Sequence, residues 1–299
     1  MVEHPTVKGQ WLHLLTARPE VSSLGDTASL VKAVAAAWSG PVAPRVRLLP
    51  PTVAWAEIAE AGEGLRLPIG LAEADLKPVT IDFATDPHFL LLGDAECGKS
   101  SFLRTLATSV TSRFAPEQAR IILVDHRRSL IDLPETEHRI GYGTQAQTTL
   151  DLMQSVAGYM EKRLPGPEVT AKQLRNRSWW TGPELFVLVD DYDLVAAGPV
   201  NPLTPLLEHL PQARDIGLHL VLTRRAGGAG RALYEPVIQR LRELSAPGLV
   251  MSGPPEEGAL IGTVRPEHLP PGRGRLITRR EGIRLIQLAQ PETAPGTDS

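Results

Sequence analysis

One cysteine, Cys97, stands in 299 residues, so no disulfide framework can form within the chain, which fits a reducing interior. No window approaches about 18 uninterrupted apolar residues, the length a helix needs to span a bilayer. The N-terminal MVEHPTVKGQ lacks the charged-then-apolar layout of a secretion signal. The chain as given reads as soluble, and as a stretch that a longer membrane-attached protein could contain. Lysine is scarce, 6 residues against 25 arginines. The arginines are spread over the whole length, which points to a coding bias rather than a binding patch. The net charge of −3 supplies no field that would hold nucleic acid at physiological salt, and none is expected as a partner. No Cys/His zinc spacing, no Gly-x-Ser-x-Gly elbow, no internal repeat and no low-complexity segment occurs. With 42% hydrophobic residues, there is ample material for a large core.

Against these absences stands HFLLLGDAECGKSS, His88 to Ser101. It contains Gly93-x-x-x-x-Gly98-Lys99-Ser100, the full phosphate-loop pattern, between an apolar strand-type run (Phe89–Leu92) and a helical stretch (Ser100–Ser112). That stretch carries Phe102, Leu103, Leu106 and Val110 on one face. A loop between strand and helix aims backbone N–H groups and the positive helix end into one concavity. Gly93 and Gly98 permit backbone angles and close approach that side chains forbid. Lys99 is placed to reach the β- and γ-phosphates of ATP, and the Ser100 hydroxyl to ligate Mg²⁺. Cys97 lies inside the loop. A helix N-terminus can lower a thiol pKa and so open a redox role; a small, tolerated loop side chain is the simpler reading.

Such a loop needs a partner carboxylate at the end of a neighbouring strand. LFVLVDDYD, Leu185 to Asp193, supplies it: five apolar residues lead into Asp190 and Asp191, 91 and 92 positions after Lys99. Asp190 is assigned to the magnesium shell. Asp191 takes the position of the water-activating carboxylate, where many ATPases of this type carry Glu. The shorter side chain withdraws the carboxylate by about one covalent bond, so binding is the safer expectation and fast hydrolysis the weaker one. Thr223, at the end of the run His219–Leu222, is a candidate γ-phosphate sensor. Arg224 and Arg225 beside it could touch phosphate or be exposed charges. Asp125, His126, Arg127 and Arg128 close the run Ile121–Val124 and face the same side, with His126 expected at the surface.

From about Leu65 onward, apolar runs alternate with helical stretches, which argues for an α/β fold with a mainly parallel sheet and helices on both faces. The further runs are Val79–Phe83, Phe186–Val189, Leu249–Met251, Leu276–Thr278 and Ile283–Leu288. Thr144-x-x-Gln147 reads as a capping box opening a helix through Leu150, Met153, Val156, Met160 and Leu164. Leu203–Arg214 and Arg231–Leu244 are two more amphipathic candidates. Residues 51–290 form the main domain. Residues 1–50 hold a helix, Asp26–Trp38, with Leu30, Val31, Val34 and Trp38 on one side, and a Gly/Pro-rich linker. Residues 291–299 are expected to be a disordered tail. Trp179 and Trp180 precede one motif strand, and alternation on a strand would bury at most one of them.

Taken together, DPHFLLLGDAECGKSSFLR, ILVDHRRSLI, RSWWTGPELFVLVDDYDLV, PLLEHLPQARDIGLHLVLTRRAGGAGRALYEP and PPGRGRLITR resemble the FtsK/SpoIIIE-type ATPase domains of type VII (ESX) secretion. They are most similar to the last ATPase domain of the EccC family, over roughly residues 45–290. The resemblance implies a RecA/FtsK-like P-loop NTPase fold. It assigns Gly93, Asp94, Ala95, Glu96, Cys97, Gly98, Lys99, Ser100 and Ser101 to phosphates and Mg²⁺, and Asp190 with Asp191 to the second motif. It implies tandem ATPase domains in one polypeptide, the preceding one ending in residues 1–50, on the cytoplasmic side of a membrane-anchored complex. It also implies recognition of WXG100/Esx-type substrates through a C-terminal signal, in an apolar groove away from the nucleotide. Two other expectations stand beside it. A fully active ATPase in a hexameric ring would need an arginine from a neighbour. A DNA translocase of the FtsK kind would need a basic channel face and a C-terminal winged helix, yet the charge is −3 and the chain ends within eleven residues of Leu288.

Overall fold

The computed structural model describes residues 2–3, 11–12, 27–40 and 48–291. Two compact units divide after Val46. The first, taken by itself, contains an antiparallel ladder of β1 (Val2–Glu3) with β2 (Trp11–Leu12), and helix α1 (Thr27–Ala37). The helix forms where expected, within a residue at each end, but its apolar side is not core: Val31, Val34 and Trp38 are 58–64% exposed and no residue of α1 is buried. The start of the expected helix at Asp26, the linker prolines Pro41 and Pro44, and the tail from residue 292 lie outside the described residues.

The second unit is built on one ten-stranded sheet. Its strands are β3 (Arg66–Ala72), β4 (Pro78–Asp82), β5 (His88–Leu92), β6 (Ala119–Asp125), β7 (Arg139–Gly143), β8 (Glu184–Asp190), β9 (Leu218–Arg224), β10 (Gly248–Met251), β11 (Arg273–Thr278) and β12 (Gly282–Leu288). The order across the sheet is β4-β3-β12-β11-β10-β5-β9-β8-β6-β7. From β10 to β7 every pairing is parallel; from β10 to β4 every pairing is antiparallel. Every residue of β5 and β9 is buried. Central strands of this kind must be apolar on both faces, which is why they read as continuous runs rather than alternating ones.

Alternation along the strands separates two cores. Leu90, Leu92, Val187, Val189, Leu220 and Leu222 face α3 (Ala146–Glu161), α6 (Ala213–Ile216), α7 (Ala229–Ala232) and α8 (Pro236–Glu243). Phe89, Leu91, Phe186, Leu188 and Val221 face α2 (Lys99–Arg113), whose Phe102, Leu103, Leu106 and Val110 are all 0–1% exposed. Burying each of those four side chains contributes roughly 1.5–3 kcal/mol. The helix therefore starts where the loop ends because its apolar stripe docks on the sheet beneath.

Several expectations need correction. Leu203–Arg214 is no continuous helix but two 3-10 turns followed by α6, because Pro205 and Pro211 remove the amide donors that an α-helix requires. Arg231–Leu244 is split into α7 and α8 at Pro236, which opens α8. The Thr144 capping box does not form: Gln145 is the N-cap of α3, with no side-chain bond. A reciprocal box occurs instead at Thr170–Gln173, capping α4 (Ala171–Asn176). Strands β3 and β7 were hidden by turn-type residues. Within β3, Pro68 and Gly70 flank a bulge, and a Cβ on Gly70 would lie 2.1 Å from the Gln287 carbonyl of β12. Trp179 and Trp180 are on the loop between α4 and β8, not on a strand, and both are half-buried.

His88 opens β5 at 2% exposure. Its Nδ1 accepts from the Leu220 amide (3.2 Å) and its Nε2 donates to the Leu210 carbonyl (3.1 Å). Burial holds its pKa down to about 4, against 6.5 for the free side chain. Below pH 6.5 the unfolded chain takes up a proton that the folded chain refuses, so stability present above pH 6.5 drains away as the pH falls towards 4. The loss is about 3 kcal/mol. Urea midpoints should show this fall between pH 6.5 and 4 and a flatter profile for His88→Asn; equal slopes would contradict it.

Candidate nucleotide-binding site

The loop leaves β5 at Gly93 and enters α2 at Lys99. Gly98 has φ 113°, a left-handed value that favours glycine. A Cβ on Gly93 would lie 2.5 Å from the Cys97 sulfur and 2.9 Å from the Met251 Cβ. The two motif glycines are thus demanded by backbone angle and by close approach, respectively. Cys97 points inward at 3% exposure, with its sulfur 3.8 Å from that of Met251. Burial pushes its thiol pKa up, outweighing the pull of Lys99. The activated-thiol reading is therefore corrected: Cys97 packs under the loop.

Lys99 is 7% exposed. Its Nζ donates to the Asp94 carbonyl at 2.8 Å and lies 3.6 Å from Asp191 Oδ1. The Ser100 hydroxyl donates to Asp190 Oδ2 at 2.6 Å, and Ser129 donates to the same oxygen at 3.1 Å. On the other side, Thr223 donates to Asp190 Oδ1 at 2.8 Å and accepts from the Asp191 amide at 3.1 Å. Burial pushes the Asp190 carboxyl above its usual range, with the hydroxyl bonds pulling it back down. Asp191 follows in the left-handed region (φ 45°, ψ 59°), a conformation that Asp tolerates better than most residues, immediately before the short helix α5 (Tyr192–Val195). Its Oδ2 accepts from Arg127 Nε at 2.7 Å.

A cavity of about 430 Å³ is lined by Ala95, Glu96, Gly98, Lys99, Ser100, Ser101, Arg127, Ser129, Asp191 and Arg225. Six of the residues singled out in the loop, and Asp191, therefore share one cavity. Gly93, Asp94 and Cys97 build the loop from behind, and Asp190 and Thr223 stand beneath Ser100 and Asp191. Thr223 is 0% exposed and its hydroxyl is bonded within the protein. Arg224 is neither exposed nor in the cavity: it is 7% exposed, donates to the Arg225 carbonyl and pairs with Glu235 at 3.8 Å. His126 is half-buried, bonded through Nε2 to Thr149 Oγ1 at 3.0 Å, rather than a surface residue. Ser129 went unnoticed in the sequence, where it carries no motif; only the pairing of β6 with β8, Asp125 opposite Asp190, brings its loop to this cavity.

The residues present fit a magnesium-nucleotide. A hydroxyl and a buried carboxylate 2.6 Å apart form a hard-oxygen donor set of the kind Mg²⁺ takes. Burial has raised the proton affinity of that carboxylate, and a nearby dication would offset the effect. Asp191 Oδ1 is a buried acceptor with no hydrogen bond at all.

A second polar cluster holds the opposite ends of the strands. The Arg163 guanidinium is stacked 3.9 Å over the Trp180 ring and donates to the carbonyls of Ile216 and Pro183, both at 2.8 Å. Trp179 and Trp180 donate to the carbonyls of Arg163 and Asp215. Burial works to raise the Glu184 carboxyl, but hydrogen bonds from His219 and Arg177 prevail and hold its pKa at about 2.

Residues 64–182 match the FtsK/SpoIIIE family. The chain is 53% identical over 291 residues to the ESX secretion system protein EccC of Thermomonospora curvata, covering 94% of this chain and 22% of that protein. It is 48% identical over 252 residues to the ESX-4 secretion system protein EccC4 of Mycobacterium tuberculosis, covering 83% and 20%. The solved structure of Thermomonospora curvata EccC (ATPases 2 and 3) in complex with a signal sequence peptide matches with a TM-score of 0.81 at 54% identity. That match covers 89% of this chain and 48% of the other. The chain thus spans about a fifth of the length of these curated relatives. Among the described residues no helix is long and apolar enough to cross a membrane. The family match over residues 64–182, and identities of 48–53% to EccC proteins across most of the chain, lead to one conclusion: the chain belongs to the FtsK/SpoIIIE family and is a homologue of EccC ATPase domains.

Proposed function

We propose that this chain is the last ATPase domain of a type VII secretion motor, binding ATP and Mg²⁺ tightly, hydrolysing slowly and receiving the C-terminal signal of a WXG100-type export substrate. The observation that carries the nucleotide reading is the 2.6 Å contact between Ser100 and Asp190, with Lys99 and Asp191 beside it. When bound, Mg²⁺·ATP supplies the phosphoanhydride and the charge neutralisation that hydrolysis needs. Lys99 would hold the outer phosphates, Ser100 and Asp190 would hold the metal, and Thr223 fixes the Asp190 carboxylate. Asp191 is placed to orient water, yet it is one methylene shorter than Glu and already engaged by two cations. That commitment is the physical reason to expect slow turnover.

The cargo reading rests on the relatives and on an apolar trough at the other end of the sheet. Leu90, Leu241, Ile261 and Ile277 line a space of about 330 Å³, with Arg242 and Arg279 exposed beside it. An amphipathic helix ending in a carboxylate suits such a surface. The test is calorimetry with ATP, with and without Mg²⁺, alongside single-turnover hydrolysis and anisotropy with C-terminal peptides of WXG100-type proteins. Tight Mg²⁺-dependent binding, slow hydrolysis that rises about tenfold or more in Asp191→Glu, and at least one bound peptide are expected. Wild-type turnover near the ~10 s⁻¹ of ordinary enzymes would contradict the slow-hydrolysis reading. Indifference to every peptide would remove the cargo role.

A further inference from the structure

The loop after β6 is wrapped around one fully buried carboxylate. Asp125, 0% exposed, accepts from the amides of Arg127 (3.2 Å) and Leu130 (2.7 Å), from the Tyr142 hydroxyl (3.0 Å) and from Ser129 (3.4 Å). This carboxylate lies opposite Asp190 in the β6–β8 register. The wrapping holds Arg127 and Ser129 against the phosphate-loop cavity, and both line it together with Lys99 and Ser100. Arg127 meets Asp191 through Nε alone; among the described residues its two Nη atoms have no hydrogen-bond acceptor. Its side chain is 47% exposed, against 10% for Asp191 and 7% for Lys99.

We infer that Arg127 is a ligand of the terminal phosphate supplied by the same chain, and that Asp191 holds Arg127 and Lys99 in readiness as an internal stand-in for that phosphate. The inference rests on the nucleotide reading of the cavity. One carboxylate facing two cations from different elements presents them with two anionic oxygens, as a terminal phosphate does. A phosphate offers more acceptors and more charge, and it can use the free Nη donors in the forked geometry that guanidinium groups prefer. The exchange takes the Arg127 bond from a carboxylate that is only 10% exposed, a cost that the additional phosphate contacts have to exceed. A diphosphate lacks the γ-phosphate that makes the exchange, so Arg127 stays on Asp191 and discriminates between the two nucleotides. Ring ATPases commonly receive such an arginine from a neighbour; here it lies within one chain.

The test is calorimetric titration of the full chain with ATPγS and with ADP, both with Mg²⁺, for wild type, Arg127→Ala, Arg127→Lys, Asp191→Asn, Lys99→Ala and the Arg127→Ala/Asp191→Asn pair. Arg127→Ala should weaken ATPγS about tenfold and leave ADP within about twofold, with Arg127→Lys in between. Asp191→Asn should tighten ATPγS, because it removes the competing anion, and the gain should shrink in the double variant. Equal losses for both nucleotides, or none, in Arg127→Ala would overturn the inference and leave Arg127–Asp191 a structural pair. Lys99→Ala separates the two readings. If it loses both nucleotides while Arg127→Ala loses neither, the cavity assignment survives and the role of Arg127 does not. If Lys99→Ala binds as well as wild type, the cavity itself has been misassigned.

Discussion

Lys99→Ala should reduce ATP affinity by roughly a hundredfold or more, the largest functional effect expected of any single substitution here. Lys99 is the buried cation of the cavity, and its ammonium is held between the Asp94 carbonyl and Asp191. A charge-assisted contact in such surroundings contributes about 1.5–3 kcal/mol, and a residue meeting two phosphates makes more than one. About 2.8 kcal/mol is a hundredfold. The fold should survive, because the apolar stripe of α2 begins at Phe102 and does not depend on the lysine head. The measurement is calorimetric titration with ATP and Mg²⁺, paired with a thermal melt. Undiminished affinity in a folded variant would show that the phosphates bind elsewhere.

Arg163→Ala should have the largest effect on stability, about 3–4 kcal/mol. The guanidinium is 2% exposed and sits between the rings of Tyr159 and Trp180, with centroid distances of 4.5 and 3.9 Å. Truncation strands the Ile216 and Pro183 carbonyls and the Tyr159 hydroxyl and opens a void beside the indole. For a unit of this size, each kcal/mol moves the melting temperature by about 2–4 °C, so a fall on the order of 10 °C follows. Arg163→Lys should not rescue it, since an ammonium cannot reach several acceptors while stacking. Nucleotide affinity below the melt should be unchanged, because the cluster lies at the start of β8 and the cavity at its end. A melt unchanged in Arg163→Ala would mean that the Trp179–Trp180 segment is held by something else.

The portion of the site carried by contiguous residues was legible before the structure. Gly93 to Ser101 and Asp190–Asp191 each follow a strand buried on both faces, and such strands declare themselves as unbroken apolar runs. What crosses between strands was not legible. Arg127 was placed on the correct side without a partner, because its contact with Asp191 depends on β6 lying beside β8. Ser129 has no local signal at all. Thr223 was expected to sense phosphate directly, whereas its hydroxyl is bonded to Asp190 beneath the cavity. The helix errors have a common cause: apolar spacing over 203–214 and 231–244 was helical, but Pro205, Pro211 and Pro236 removed the donors that would have sustained it. Strand β3 was missed for the converse reason, since Pro68 and Gly70 look like a turn until the bulge and the close approach of β12 explain them.

Gly272 gives the phosphate loop a second attachment. Its amide donates to the Cys97 carbonyl at 2.8 Å, and its carbonyl accepts from Leu288 at 2.7 Å. The next residue, Arg273, grips the carbonyls of Leu49 and Pro50, among the first described residues of this unit. One peptide bond therefore separates the tether of the nucleotide loop from the clasp on the incoming polypeptide.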